Sequence, residues 1–130
     1  MEEIKFVEKY FDKSNYKLSL YNKTTNEEIG FVLLELNGDL NRYGEYCNGN
    51  KLAHIVRLET KYSYTKQGVA HTLLNKLFTD FNNWNFSLFV YPEYRGEKDF
   101  NKKDLQKWYT QFGFERTKEL ISTMVKKATI

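Results

Sequence analysis

One stretch of the chain limits its fold more than any other, because it predicts a strand, a glycine turn and a helix in succession. Leu52–Thr60 is rich in apolar and β-branched residues, which favours a strand. A polar connection follows at 62–67. Gly68 then opens a helical pattern, whose apolar positions are Ala70, Leu73, Leu74, Leu77, Phe78 and Phe81. A strand that leads through a short turn into a helix indicates an α/β domain, with the glycine at the helix N-terminus.

The segments before this stretch are typical of strands. Residues 4–11 and 16–21 are separated only by a polar turn at 12–15, so no helix fits between the first two strands. Residues 29–36 are apolar on both faces, as in a central strand. Three glycines among polar and aromatic residues predict a long loop over 37–50, and such loops are often functional. We therefore expect an antiparallel meander before the first helix.

The segments after the first helix predict a second helix between strands. A short strand is expected over 86–91, ended by Pro92, and the charged residues 93–100 predict a loop. The second helix is expected to have Asn101 as its N-cap and Gly113 at its C-terminus. Its apolar stripe consists of Leu105, Trp108, Tyr109 and Phe112. The last two strands are expected over 114–121 and 123–127, which gives the order β-β-β-β-α-β-α-β-β.

Composition excludes several classes of protein. The chain has 130 residues, 41% of them hydrophobic, which suits one folded domain over 1–130. The single cysteine, Cys47, excludes a disulfide framework, and His54 and His71 lack metal-ligand spacing, so no metal is expected. The acidic N-terminus has no signal-peptide pattern and no apolar run is long enough to cross a bilayer, which favours a cytoplasmic protein without membrane contact. A net charge of +3 is too small to favour a nucleic-acid partner.

Two motifs, in the right order and with a strand between them, resemble those of the GNAT superfamily of N-acetyltransferases. The segment Thr65-Lys66-Gln67-Gly68-Val69-Ala70 is similar to the family's cofactor loop, R/Q-x-x-G-x-G/A. The segment Tyr109-Thr110-Gln111-Phe112-Gly113-Phe114 looks like the family's Y-x-x-x-G-F. The resemblance extends from Leu52 to the C-terminus. It implies a single GNAT domain with a mixed, mostly antiparallel sheet of about seven strands, flanked by two main helices.

The sequence departs from the family pattern in two places. Thr65 stands where the family has Arg or Gln, so a long donor over the pyrophosphate is missing, although a backbone N–H is retained and Lys66 or Gln67 can substitute. The segment between the first two strands carries two helices in many relatives, but it is only a turn here. The acceptor side is therefore expected to be open, or to be covered by the loop over 37–50.

The resemblance implies acetyl-CoA as the cosubstrate and assigns residues to it. The pantetheine arm is expected to pair with the backbone of Leu58, Glu59 and Thr60. The pyrophosphate is expected on the turn and the first turn of the helix, formed by Thr65, Lys66, Gln67, Gly68, Val69, Ala70 and His71. Tyr109 matches the family's tyrosine near the thioester sulfur, where it would donate a proton to the departing thiolate as a general acid.

Acetyl transfer to an amine also requires a base, because an alkylammonium has a pKa of about 10.4 and is not nucleophilic. Within the histone-acetyltransferase-like branch of the family, a catalytic glutamate precedes Ile-Val on this strand. Here the corresponding position is His54, and a neutral imidazole with a pKa of about 6.5 can accept a proton near pH 7. Glu59 and a water molecule stay open as alternatives.

The sequence thus favours an N-acetyltransferase that transfers acetyl directly, in a ternary complex, to a primary amine of a protein or a small molecule. An open acceptor side slightly favours a protein. The alternative is a non-catalytic CoA- or protein-binding module on the same fold, which Thr65 and the histidine at position 54 both favour. A small nucleic-acid binder with aromatic stacking is a third hypothesis. The sequence is compatible with a homodimer as well as with a monomer.

Overall fold

The secondary structure follows the predicted order, with additional short elements. A computed structural model describes residues 3–38, 40–49, 51–64, 68–90, 93–95, 98–100, 102–118 and 122–129. The strands are β1 (Ile4–Tyr10), β2 (Asn15–Asn22), β3 (Glu27–Glu35), β4 (Leu52–Thr60), β5 (Asn85–Phe89), β6 (Glu93–Arg95), β7 (Lys98–Phe100), β8 (Phe114–Arg116) and β9 (Thr123–Lys126). The α-helices are α1 (Leu40–Tyr43), α2 (Val69–Asp80) and α3 (Lys102–Thr110).

Seven strands form one mixed sheet in the order β1-β2-β3-β4-β5-β9-β8, and β6 and β7 form a separate two-stranded sheet. The predicted sheet of about seven strands with two main helices is confirmed. By their contacts, the residues fall into two compact units. Unit 1 comprises Met1–Leu36 and Ile55–Phe81, and unit 2 comprises Asn37–His54 and Asn82–Ile130. Among the described residues, no helix is long and apolar enough to span a membrane.

Unit 1 consists of the antiparallel meander β1–β2–β3, most of β4, and α2. The turn between β1 and β2 is held by Asp12, whose Oδ1 accepts hydrogen bonds from the backbone N–H of Ser14 at 2.7 Å and of Asn15 at 2.9 Å. Hydrogen bonds from the Asn15 side chain and from these amides lower the pKa of Asp12. The turn leaves no room for a helix between β1 and β2, as predicted.

The core of unit 1 lies between the meander and α2. The sheet contributes the buried residues Tyr16, Leu18, Leu20, Ile29, Val32 and Leu34, and α2 contributes Val69, Leu73, Leu74 and Leu77. The sequence pattern placed Ala70 in the apolar stripe, but Ala70 is only half-buried and Val69 takes its place in the core. Val69 lies four residues before Leu73 and therefore shares its helix face, which packs against Gly30 of β3.

Unit 2 contains the loop before β4, the antiparallel strands β5, β9 and β8, and α3. The last strand, β9, lies between β5 and β8 and contributes Met124 and Val125 to the core. The predicted strands over 86–91 and 114–121 are shorter than expected, at Asn85–Phe89 and Phe114–Arg116. Pro92, Asn101 and residues 119–121, to which the sequence assigned strand ends and a helix cap, lie outside the described residues.

Two segments predicted as loops contain regular structure. In the segment 37–50, α1 and a 3-10 turn (Gly44–Tyr46) place Leu40, Tyr43 and Tyr46 on one side, where they pack against Leu52 and Val125. In the segment 93–100, β6 and β7 form a hairpin in which Arg95 pairs with Lys98. The two residues between these strands, 96 and 97, lie outside the described residues.

Candidate active site

The start of α2 is the part of unit 1 that the sequence assigned to a pyrophosphate. Gly68 precedes the helix with φ 73° and ψ 23°, which is the left-handed region that favours glycine. A Cβ added at Gly68 would meet no atom within 4 Å, so the backbone conformation, not lack of space, calls for glycine. The first intrahelical bond runs from the N–H of Thr72 to the carbonyl of Gly68 at 2.9 Å.

The amides of Val69, Ala70 and His71 belong to the first turn, before that bond. No acidic residue lies in the turn to oppose an anion. An anion placed at this helix N-terminus would meet the positive end of the helix dipole and no acidic side chain of the first turn. The exposed ring of His71 lies with Nδ1 2.8 Å from Nδ2 of Asn75, on the helix surface. Thr65, Lys66 and Gln67 lie outside the described residues.

A second glycine, which the sequence analysis missed, sets how closely α2 approaches the sheet. A Cβ added at Gly30 on β3 would lie 2.5 Å from Cγ1 of Val69 and 2.9 Å from the carbonyl oxygen of Glu59. The absent side chain therefore lets the first turn of α2 and the end of β4 meet at one point of unit 1. This packing brings the backbone of Glu59, one of the predicted pantetheine residues, close to the side chain of Val69 in the first turn of α2.

Glu59, one of the predicted bases, is engaged by a cation. Its carboxylate forms an ion pair with the guanidinium of Arg57, and both side chains are substantially exposed. Leu58 and Thr60 are half-buried. The Glu59 carboxylate is therefore already engaged by a guanidinium.

His54, the other predicted base, lies in unit 2, where its ring contacts residues of β5. Its Nδ1 is 3.1 Å from Oγ of Ser87 on β5, and its ring meets the ring of Phe89 edge-on, with centroids 4.8 Å apart. Ser87 is only 2% exposed. The imidazole is therefore fixed in orientation, and its Nδ1 is engaged, as in sites where a partner on one ring nitrogen selects the tautomer.

Ser87 was not predicted from the sequence. The residue is one of five in a short apolar strand, and its meeting with His54 depends on the register between β4 and β5, which no local pattern reveals.

Tyr109, the predicted general acid, lies on α3 in unit 2 and is buried. Its ring packs edge-on against Trp108, with centroids 5.0 Å apart, and against Phe114 on β8 at 5.8 Å. Phe114 belongs to the motif that resembles the family's, and Trp108 directly precedes that motif. Two ring contacts restrict the phenol to one orientation, which suits a group that must present its hydroxyl at a defined point.

The segment preceding β4 in unit 2 is anchored by Asn85, which the sequence analysis also missed. Oδ1 of this fully buried residue accepts from the N–H of Asn48 at 2.9 Å and of Ala128 at 2.8 Å. Its Nδ2 donates to the carbonyls of Asn48 at 2.7 Å and of Lys51 at 2.8 Å. One side chain thus satisfies four backbone groups and ties the loop to β5 and to the end of the chain.

The described residues contain no group of three or more His, Cys, Asp or Glu side chains that could hold a metal ion. Burial raises the pKa of the half-buried Cys47 thiol, and the opposing influence of Lys127 is smaller. A thiol with a raised pKa is mostly protonated near neutral pH, which makes Cys47 a poor nucleophile.

The structure therefore brings the end of β4 and the start of α2 together within unit 1, and it places His54 and Tyr109 in unit 2. No family model matches the sequence. No curated protein matches it either.

The fold, by contrast, matches solved structures. The mutant AtaT toxin bound to the C-terminus of the antitoxin AtaR aligns with a TM-score of 0.66 and 11% identity, over 95% of this chain and 92% of that one. The histone acetyltransferase HPA2 and related acetyltransferase of Corynebacterium glutamicum aligns with a TM-score of 0.65 and 14% identity, over 94% of this chain and 69% of that one.

A third structure, Naa50 of Arabidopsis thaliana in complex with the bisubstrate analogue CoA-Ac-MVNAL, aligns with a TM-score of 0.54 and 21% identity, over 84% of this chain and 69% of that one. Identities this low establish architecture only. The sheet order, the two main helices and these alignments agree, and the chain has the fold of the GNAT N-acetyltransferases.

Proposed function

We propose that the protein is an acetyl-CoA-dependent N-acetyltransferase. The observation that carries this proposal is the junction at Gly30 in unit 1, where the end of β4 meets the first turn of α2 behind the left-handed Gly68. On a GNAT fold, that junction combines an extended backbone for a pantetheine arm with helix amides for a pyrophosphate. Acetyl-CoA would contact the backbone of Leu58 to Thr60, and its pyrophosphate would contact residues 65–71.

The reaction would be a direct transfer. The lone pair of the neutral amine attacks the carbonyl carbon of the thioester, which a backbone N–H of β4 polarises, the C–S bond breaks, and an amide and CoA are formed. His54 takes one proton from the amine, with Glu59 or a water molecule as the alternative base. Tyr109 supplies one proton to the departing thiolate, so that CoA leaves as the thiol. The fixed imidazole beside Ser87 supports His54 over the ion-paired Glu59.

A primary amine of a protein is the acceptor that we favour over a small molecule. The support is the short turn between β1 and β2, which leaves no helices to enclose a small acceptor on that side. The structurally similar Naa50 binds an analogue that joins CoA to a peptide. We also propose that residues 1–130 form one GNAT domain and that the protein is cytoplasmic.

A non-catalytic module that binds CoA or a protein is the second candidate. Thr65 in place of Arg or Gln and a histidine in place of the glutamate favour it. The structurally similar AtaT is bound to a segment of another protein, which is compatible with a protein-binding role.

Mass spectrometry separates these candidates. The full chain is incubated with acetyl-CoA and mixtures of peptides and small amines, and products that gain an acetyl group are identified. We expect acetylated amines and release of free CoA thiol, with turnover reduced roughly 100-fold or more in Tyr109→Phe. Acetyl-CoA binding without any acetylated product would support the binding module.

Tyr16→Phe is the matched control. Tyr16 is buried, like Tyr109, but lies in unit 1, where its hydroxyl donates to Glu8 at 2.9 Å, and burial together with that bond raises its pKa. We expect Tyr16→Phe to turn over at the unaltered rate. An equal loss in both variants would mean that Tyr109 acts only through stability.

A further inference from the structure

The first strand of the sheet has an open edge. β1 is terminal and pairs only with β2, so every second backbone N–H and C=O points away from the sheet. The N–H of Lys23 donates to the carbonyl of Glu3 at 3.0 Å, and the N–H of Phe11 donates to the carbonyl of Asn15 at 2.9 Å. The odd-numbered residues of β1 therefore direct their backbone groups toward β2, and the even-numbered ones present theirs at the edge.

Apolar side chains are also exposed along this strand. Of the large hydrophobic side chains exposed in the described part of the chain, Val7 (40% exposed), Tyr10 (58%) and Phe11 (53%) lie on or beside β1. A regular seven-residue strand with an open backbone edge and exposed apolar groups is a template for another strand. Its lysines, Lys5 and Lys9, restrict which strand can pair there and in which register.

The charge pattern decides whether β1 can pair with itself. If two copies join their β1 edges about a two-fold axis, the two strands pair antiparallel. Residues directly opposite one another then point to the same face of the sheet. The axis therefore passes through one residue of β1, which lies opposite its own copy. Axes centred on Lys5, Glu8 or Lys9 place a charge opposite its own copy. An axis at Val7 places Lys5 opposite Lys9 twice. An axis at Tyr10 places Glu8 opposite Asp12 twice, and an axis at Ile4 involves only the first four residues of β1. Like charges directly opposite one another are destabilising.

The register centred on Phe6 has the opposite character. It places Glu3 opposite Lys9 of the second copy, twice, and Phe6 opposite Phe6. Val7 lies beside the methylene chain of Lys5, and Ile4 lies opposite Glu8. Because Ile4, Phe6 and Glu8 are the residues whose backbone groups point outward, this register also joins donor to acceptor along the edge. Lys5 and Lys9, which disfavour the other registers, are compatible with this one.

We infer that β1 pairs with β1 of a second copy of this chain, antiparallel and centred on Phe6, so that the two meanders form one continuous sheet. The inference is independent of the proposed acetyl transfer, since it uses only the edge of unit 1. The occupant of the edge is a second copy because the strand is complementary in charge to itself in a register that covers most of β1, with two Glu3–Lys9 pairs.

Analytical ultracentrifugation of the full chain over a range of concentrations tests the inference. We expect a dimer, and we expect Glu3→Lys and Lys9→Glu each to raise its dissociation constant roughly tenfold, because each opposes two like charges. The double variant Glu3→Lys/Lys9→Glu restores two opposite pairs and is expected to recover the dimer. Lys13→Glu makes the same charge change on the exposed turn after β1 and is expected to have no effect.

Amide hydrogen exchange gives an independent measurement that needs no variant. We expect the amides of Ile4, Phe6 and Glu8 to gain protection as the protein concentration rises, while those of Lys5, Val7 and Lys9 are protected at every concentration. A monomer at all concentrations would overturn the inference. So would a dimer that the single charge variants leave intact, or a double variant that stays monomeric.

Discussion

At the start of α2 the groups proposed to bind a ligand are backbone amides, whereas the groups proposed to react, at His54 and Tyr109, are side chains. The two regions are held by different means. Gly30 and Gly68 shape the first region through the absence of a side chain and through a left-handed backbone. In the second, His54 is fixed by Ser87 and the neighbouring loop by Asn85, both of them buried polar groups.

The difference predicts how each region responds to substitution. A backbone site tolerates changes of side chain that preserve its conformation, which is consistent with Thr65 standing where the resembling family has Arg or Gln. A site made of side chains depends on single atoms at defined distances, and its supporting hydrogen bonds are correspondingly sensitive.

The largest effect is expected for Asn85→Ala in unit 2. The substitution leaves two amides and two carbonyls without their buried partner, so we expect the free energy of unfolding to fall by about 3 kcal/mol or more. Urea denaturation measures the loss. Asn83→Ala changes an exposed asparagine two residues earlier and serves as the control, with an expected change within about 0.5 kcal/mol. A similar small change in Asn85→Ala would refute the anchoring role.

Gly30→Ala is expected to have the next largest effect, and it falls on unit 1. The added Cβ would overlap Val69 and the carbonyl of Glu59, so α2 must shift away from β3, at a cost of about 2 kcal/mol. We also expect weaker binding of acetyl-CoA, measured by isothermal titration calorimetry. Gly44→Ala is the control, because a Cβ there meets no atom within 4 Å. If the two variants behave alike, the close approach of α2 does not matter.

Gly68→Ala and Gly49→Ala form a matched pair, because each places an alanine at a similar positive φ. Both glycines have a positive φ, 73° and 70°, and both have open space around the added Cβ. Each substitution is expected to cost about 1 kcal/mol of stability. Only Gly68→Ala is expected to lower the affinity for acetyl-CoA, since Gly49 lies far along the chain from α2. Equal affinities for acetyl-CoA in the two variants would show that the backbone conformation at Gly68 has no role in binding it.

The smallest expected change in stability is that of Ser87→Ala, about 1 kcal/mol for one hydrogen bond. Its informative readout is the tautomer of His54, measured by long-range ¹H–¹⁵N NMR. We expect Nδ1–H in the unaltered protein, with that hydrogen donated to Ser87, and a mixture of tautomers in Ser87→Ala that Ser87→Thr reverses. An Nε2–H tautomer in the unaltered protein would exclude neutral His54 as the base and favour Glu59 or water.

Much of the fold was predictable because it depends on local patterns. The bounds of β4 were predicted correctly, and those of the meander strands and α2 to within a few residues. The spacing of apolar residues and the residue types of turns depend only on neighbouring positions, so a single sequence reveals them. The hairpin of β6 and β7 was wrongly predicted as a loop because its charged strands lack apolar alternation. The prediction of a loop over 37–50 was only partly right, because α1 forms there and its residues Leu40 and Tyr43 pack against Leu52 and Val125.

The supporting residues of the candidate site were not predictable in the same way. Gly30, Ser87 and Asn85 matter through partners that are 29 to 43 residues away along the chain. Which residues meet at such distances depends on strand order and register, and a single sequence does not specify them. His54 and Tyr109 were identified by resemblance, and their roles stay predictions.

The most direct test of the central claim is a titration of the full, ¹⁵N-labelled chain with acetyl-CoA, followed by NMR. We expect saturable binding, with the largest amide shifts at Val69, Ala70 and His71 in the first turn of α2, and further shifts at Leu58 to Thr60. The absence of any shift at millimolar acetyl-CoA, or shifts confined to other parts of the chain, would contradict the proposed acetyl-CoA site.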